Sequence, residues 1–304
     1  MCIFARRFNW GVLYMAMINA NEELIRLRDF SSAFSRSAFI DVLNFNDYSH
    51  FNWLASKYDI LIRCATYSDL LKKSYSVISK HYRCEYVYKN ELIKLLLKKY
   101  GTKNSVYFNE FRVGNSIADM VMFNGESKAF EIKTEYDTPR RLDKQMDDYK
   151  RFFDKCYIIV PENKVDEYRD IVEPTTGIIV MNRNNGRIIL KEFRDAEQNE
   201  RFEYEALMSC LRTEEYKNIV LSLGESLEGV AGYDMYKYCY QVISKANPNK
   251  LREFFLCEIK KRKNNTALLR KYPMSIRQMM LSLNLPEDKA NKLLEQLNIN
   301  INQA

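Results

Sequence analysis

Over the first 83 residues apolar side chains recur at three- and four-residue spacing: Leu24, Ile25 and Leu27, then Phe34, Phe39, Ile40 and Leu43, then Leu70, Leu71, Val77 and Ile78. That period predicts a helical N-terminal region without a chemical motif. A further helix is predicted over 87–100, with Ile93, Leu96, Leu97 and Tyr100 on one side, Asn90-Glu91 at its opening and Gly101 as its C-terminal stop. The pattern then changes to short β-branched and aromatic runs at 105–113, 117–123 and 127–134. Gly114-Asn115 and Asn124-Gly125 separate them, and such dipeptides favour hairpin turns, so three consecutive antiparallel strands are expected.

Residues 138–154 are polar with Leu142, Met146, Tyr149 and Phe153 at helical spacing, and 156–160 is an unbroken apolar run of the kind a central strand carries. Two more strands are expected at 177–181 and 187–193 around the turn Asn184-Asn185-Gly186, after which the strand signal stops. The chain reads as a mixed α/β protein in three parts: a helical region 1–84, an α/β domain 85–197 and a helical domain 198–304, with a boundary near 195–200.

Composition narrows the function classes. With 46% hydrophobic and 29% charged residues the chain is a folded protein, and nine Gly and six Pro give too little turn punctuation for a many-stranded barrel. The 21 Tyr and 17 Phe receive no functional weight, because a low-GC genome produces the same excess. Seven cysteines without a C-x-x-C, beside only His50 and His81, leave no recognisable zinc spacing and little for a Ser-His or Cys-His nucleophile. They read as reduced thiols of a cytoplasmic protein. Arg6-Arg7 followed by the apolar run 10–18 superficially resembles a signal peptide. Asn9 and Asn19 bound that run and it is too short to cross a bilayer, so neither a secretory signal nor a membrane anchor is expected. Met15 and Met17 are alternative starts.

Charge is uneven. Residues 241–280 hold ten Lys or Arg against two Asp or Glu, a net of +8 beside +7 for the whole chain. The core of this stretch is Lys260-Lys261-Arg262-Lys263, and 275–283 and 286–297 have the spacing of a helix-turn-helix. One reading is a solvated basic helix followed by an αα-hairpin used for packing or homodimer contacts, favoured by the acidic start Glu287-Asp288; the other is contact with nucleic-acid phosphates.

The informative stretch is Asp119 followed by Glu131-Ile132-Lys133. On a strand, residues two apart share a face about 6.8 Å apart, so Glu131 and Lys133 point one way while Phe130 and Ile132 enter the core. Across the Asn124-Gly125 hairpin, Asp119 comes laterally close to Glu131. Two acidic oxygens are what Mg²⁺ or Mn²⁺ needs from a protein that leaves the rest of its coordination to water and phosphate. A neighbouring lysine orients or deprotonates a water and offsets charge. Acid-x-Lys also occurs at Asp148/Lys150, Glu162/Lys164, Glu215/Lys217, Glu258/Lys260 and Glu287/Lys289. Context separates Glu131/Lys133 from these: an alternating strand, an acid across a hairpin, and a helix carrying Glu91 before both. The bland alternative is an exposed, charged sheet face with an ion pair of little value.

The run Asn109-Glu110-Phe111, Ala118-Asp119-Met120, Phe130-Glu131-Ile132-Lys133, Asp137-Thr138, Arg140-Arg141-Leu142, Gln145, Tyr149 and Phe153-Asp154 resembles the core of the PD-(D/E)XK nuclease superfamily. More narrowly it resembles a branch of small bacterial nuclease-like proteins. The resemblance covers roughly 85–195 and implies an αβββαβ core. It implies metal ligands at Asp119, Glu131 and Glu91, and catalytic roles for Asp119, Glu131 and Lys133 and for Gln145 and Tyr149 of a Gln-x-x-x-Tyr element. Ala118 stands where many members have Pro. Arg140 and Arg141 would face phosphate in a nuclease and are solvated otherwise. The function implied is Mg²⁺-dependent phosphodiester hydrolysis, with DNA favoured over RNA, in restriction, repair or anti-phage defence. The rival class is an inactive nuclease-fold module that binds DNA or protein.

Overall fold

The computed structural model describes residues 10–59, 64–184 and 187–301. They divide into two compact units: Met1–Cys84 with Lys292–Ala304, and Glu85–Asn291. Among the described residues there are thirteen α-helices and one six-stranded mixed sheet, so the protein is of mixed α/β class.

The larger unit contains the sheet. Helix α5 (Glu85–Lys99) precedes β1 (Val106–Val113), β2 (Ser116–Phe123) and β3 (Ser127–Ile132), and its chain exit is Gly101 at φ +70°. Both hairpins turn on glycines in the left-handed region, Gly114 at +57° and Gly125 at +105°, which a side chain would disfavour. A 3-10 turn (Pro139–Arg141) leads into α6 (Leu142–Lys150) and β4 (Lys155–Pro161); α7 (Val165–Ile171) then leads to β5 (Gly177–Asn184) and β6 (Arg187–Arg194). The strands lie in sequence order β1 to β6. Hairpin-linked neighbours are antiparallel, whereas β3/β4 and β4/β5, joined through α6 and α7, are parallel. The αβββαβ order expected from periodicity is present.

Helices α8 (Tyr204–Cys210), α9 (Thr213–Ser222), α10 (Met235–Ile243) and α11 (Pro248–Lys261) share one core with the sheet and α6: Phe123, Phe153 and Ile158 pack in the same cluster as Leu207, Ile219, Cys239 and Phe255. The Phe255 ring is 4.6 Å from Phe152 and 5.6 Å from Phe123. The boundary expected near 195–200 therefore does not separate two bodies. The strand signal ends there, but the apolar stripes of the later helices have only the sheet core to cover them. Helix α12 (Arg277–Leu283) packs on α5 and β1. All six residues of β3 are buried.

The smaller unit comprises α1 (Trp10–Ser32), α2 (Arg36–Phe45), α3 (Ser49–Lys57) and α4 (Tyr67–His81). Ser35 and Thr66 cap α2 and α4 by accepting from the N–H of Ala38 and Asp69. The rings of Tyr48 and Tyr67 stack at 4.3 Å. The end of the chain completes this unit and not a C-terminal domain. Gln296, on α13 (Glu287–Leu297), donates to the Val42 carbonyl at 2.9 Å, and the Ile301 N–H donates to the Ala65 carbonyl at 3.0 Å. Of the N-terminal readings, Cys2, Arg6-Arg7 and Asn9 lie outside the described residues, as do Asn185-Gly186 of the β5–β6 turn. No helix among the described residues is long and apolar enough to cross a membrane.

Candidate active site

The β2/β3 ladder runs from Phe123 paired with Ser127 to Met120 paired with Phe130. One step further along that register stand Asp119 and Glu131, where regular pairing has ended. There the Asp119 side chain substitutes for the ladder: its Oδ2 accepts from the Ile132 N–H at 2.8 Å. A carboxylate in a sheet thereby satisfies a backbone donor that the diverging strand would leave without a partner.

The opposite flank of Asp119 is also irregular. In the β1/β2 ladder Asn109 pairs with Met120 and Phe111 with Ala118, and the intervening pair, Glu110 with Asp119, is missing. Glu110 adopts φ +53°, a conformation disfavoured for a residue with a Cβ. Strict alternation would send Phe108 and Phe111 to opposite faces. Across the break their rings instead lie 6.0 Å apart, and both reach Phe123, at 6.2 and 5.6 Å. Along β2, Val121 is in the core and Ile117 is exposed.

Glu131 is buried and surrounded by donors. Its Oε1 accepts from Lys133 Nζ at 2.8 Å and from Gln145 Nε2 at 2.6 Å, and its Oε2 lies 2.7 Å from the Tyr149 hydroxyl. Lys133 Nζ also donates to Gln145 Oε1 at 2.9 Å. Gln145 and Tyr149, four residues apart on α6, thus present one face to the β3 carboxylate. The bland reading of an exposed charged sheet face does not hold, since the side chains of Glu131 and Lys133 are only 4% and 10% exposed. Burial, then the charge of Glu131, push the Tyr149 phenol far above its usual value, so it remains a neutral donor.

Asp119 keeps a 21% exposed side chain and is the site's opening to solvent. Burial, followed by repulsion from Glu131, raises its carboxyl from the ordinary 3.8 to about 7, against the opposing pull of Lys89. A pair of carboxylates whose charges repel in this way is a setting that favours a cation.

Glu91 does not join this pair; its ion-pair partner is Lys94, at 2.8 Å. The residue of α5 that reaches Asp119 is Lys89, with Nζ 3.6 Å from Oδ1, and Glu91 lies about 200° further round the helix. Lys89 also meets Glu85 at 2.5 Å and Glu110 at 4.0 Å. Neither Lys89 nor Glu85 was selected from the sequence. The helix starts at Glu85, before the expected opening at Asn90-Glu91, and the i, i+4 spacing of Glu85 and Lys89 is one that any solvated helix face shares. Glu135 accepts from the Tyr88 hydroxyl at 3.1 Å.

Arg140 and Arg141 are exposed on the turn before α6 and make no ion pair among the described residues. The basic run is less available than its composition implies. Arg262 makes 2.6 Å bonds to both oxygens of Glu215, donates to the Cys210 carbonyl at 2.7 Å and lies over the Phe111 ring. Lys261 pairs with Glu258 at 2.5 Å, which leaves Lys260 and Lys263 exposed and without an ion pair among the described residues. Helix α12, expected as the first helix of a helix-turn-helix, buries Gln278, Met279, Met280, Leu281 and Leu283.

No group of three His, Cys, Asp or Glu residues placed to hold a metal occurs among the described residues. Asp119 and Glu131 still fit Mg²⁺, which is held by one or two carboxylates with water and phosphate completing its octahedron.

Comparison with known proteins adds the lineage. A curated relative, protein cII of Enterobacteria phage P4, is 28% identical over 179 residues, 58% of this chain and 66% of that protein, so the match spans just under two thirds of its length. A solved structure of a protein of unknown function from Silicibacter pomeroyi aligns with a TM-score of 0.30 at 13% identity, covering 47% of this chain and 92% of that one. The family model described as bacteriophage P4 protein cII matches residues 78–284, about two thirds of the chain and all the site residues above, and the protein belongs to that family.

Proposed function

We propose that the chain is a metal-dependent phosphodiesterase of the PD-(D/E)XK type acting on nucleic acid, with DNA the favoured substrate. The observation that carries this reading is the convergence of Glu131, Lys133, Gln145 and Tyr149 on one buried point beside Asp119, within 2.6–2.9 Å of one another along a chain of hydrogen bonds. Asp119 and Glu131 would hold Mg²⁺ or Mn²⁺, which supplies a water of lowered pKa and a Lewis acid for the phosphoryl oxygen.

The chain's own residues do the rest. Lys133 donates to two acceptors in this arrangement, so its role is to orient the nucleophilic water and offset developing charge. Gln145 and Tyr149 fix the Glu131 carboxylate in one orientation. Arg140 and Arg141, beside α6, are placed to take backbone phosphates, and Lys260 and Lys263 add charge elsewhere on the surface. The same reading puts the protein in the cytoplasm, in keeping with six cysteines, Cys64 to Cys257, that are all free among the described residues.

A second reading, a nuclease-fold module that binds DNA or protein without cutting, is favoured by one fact: both oxygens of Glu131 are already satisfied inside the protein. Incubating the protein with supercoiled plasmid, linear duplex, single strands and RNA, each with Mg²⁺, Mn²⁺ or EDTA, separates the two. Metal-dependent cleavage that Asp119→Asn and Glu131→Gln abolish supports the enzyme; binding without cleavage under every condition supports the module.

A further inference from the structure

The environment of Lys89 is unusual for a lysine. Its side chain is 6% exposed, and its ammonium is surrounded by Glu85 at 2.5 Å, Asp119 at 3.6 Å and Glu110 at 4.0 Å. Three carboxylates from three elements, α5, β1 and β2, thus meet one cation. Asp119 is divided between two partners: Oδ2 is committed to the Ile132 N–H, and Oδ1 faces Lys89. Glu110 itself adopts φ +53°, at the one step of the β1/β2 register where its pairing with Asp119 is missing.

Many phosphodiesterases place two divalent ions about 4 Å apart to stabilise both the attacking and the leaving oxygen. Here Glu131 has Lys133 and Asp119 has Lys89, so each carboxylate of the candidate metal pair carries its own ammonium. We propose that the Lys89 ammonium occupies the second cation position of this site, so that the chain takes one divalent ion and not two. The proposal rests on the reading of Asp119 and Glu131 as metal ligands. It makes Lys89 the residue that sets metal stoichiometry, and it explains why three acids gather where a single lysine would need one. Lys89, 3.6 Å from Asp119 Oδ1, would provide a fixed positive charge beside that carboxylate without requiring a second ion from solution.

The test is a Mn²⁺ titration of the full chain, followed by calorimetry and by the electron paramagnetic resonance of free Mn²⁺, for wild type, Lys89→Met, Lys89→Arg and Asp119→Asn, with circular dichroism to confirm folding. Wild type and Lys89→Arg should bind one Mn²⁺ per chain. Lys89→Met frees the acidic trio and should bind two Mn²⁺ per chain. Lys89→Arg, which keeps the buried charge, guards against a loss of folding in the methionine variant: Lys89→Arg binding two ions would overturn the proposal, as would two ions on wild type. If wild type binds one ion, Asp119→Asn abolishes it and folded Lys89→Met also binds only one, the role of Lys89 is wrong and the metal site stands. If no variant binds Mn²⁺, the metal site fails and Lys89 with it.

Discussion

The Asp119 carboxylate accepts the Ile132 N–H at 2.8 Å, one residue beyond the last regular β2–β3 pair. The same group is therefore both a piece of sheet structure and the solvent-facing member of the carboxylate pair. One oxygen keeps the strand in place while the other faces the Lys89 ammonium, 3.6 Å away.

Asp119 should make metal binding pH-dependent. Its carboxyl is raised to about 7 by burial and by Glu131, so below neutrality a cation must displace a proton. Mn²⁺ affinity should rise by up to about tenfold per pH unit below 7 and level off above it. Stability runs the other way: an acid raised in the folded state favours the protonated fold and opposes folding increasingly as pH climbs from its unfolded value toward 7. Thermal melts of wild type against Asp119→Asn should thus diverge in favour of the variant between pH 4 and pH 8; a gap that shrinks on raising the pH would contradict the assigned environment.

Tyr149→Phe keeps the ring in the core and removes the hydroxyl that lies 2.7 Å from Glu131 Oε2 and 2.9 Å from the Ile117 carbonyl. It should cost about 1–3 kcal/mol of stability, since a buried carboxylate loses a partner. Cleavage should slow roughly tenfold or more with the substrate KM little changed, because Glu131 loses its fixed orientation. Steady-state kinetics on a duplex substrate decide this.

Glu215 contains a sequence decoy for the Glu-x-Lys motif, and its partner is elsewhere: both its oxygens hold Arg262 at 2.6 Å. Glu215→Ala should destabilise the fold by about 3–5 kcal/mol by stranding a buried guanidinium, yet leave metal-dependent cleavage by the remaining folded protein intact. Burial pushes this carboxyl up, but the Arg262 bonds and the Arg212 N–H outweigh it and hold Glu215 below its ordinary 4.5. Its contribution is then present above pH 4.5 and lost as the pH falls through the lowered value. In urea melts the difference between wild type and Glu215→Gln should accordingly close on acidification below pH 4.

The basic run should contribute less to nucleic-acid binding than its four charges imply. Of the four, Lys260 and Lys263 make no ion pair among the described residues, so replacing both by Ala should reduce the log–log salt slope by about two, near one unit per phosphate contact. Arg262→Ala should instead register as a loss of stability. A slope reduced by four in the quadruple alanine variant, with the fold intact, would show that the Arg262–Glu215 pair opens on binding.

Much of the sheet was legible because hairpin turns announce themselves: Gly114 and Asn124-Gly125 sit between runs that pair as antiparallel ladders. Glu131, Lys133, Gln145 and Tyr149 converge as the strand and helix periods require. Lys89 was hidden because a lysine inside a helical pattern normally marks the solvated face, and only the tertiary placement of α5 buries it. The left-handed backbone of Glu110 was hidden for a different reason. A left-handed residue in a strand is usually signalled by Gly or Asn, and glutamate gives no such sign. Arg262 was misread because charge counting does not see Glu215, forty-seven positions earlier.

The hydrogen bonds from Gln296 to Val42 and from Ile301 to Ala65 impose an order on biosynthesis. The helices that leave the ribosome first lack the segment that closes their core until the last of these residues has been translated, whereas Glu85–Asn291 has all its parts in hand sooner. Closing a loop of such length is entropically slow, so the early helices would wait half-assembled, exposed to chaperones and proteases, while the later-made unit folds ahead of them.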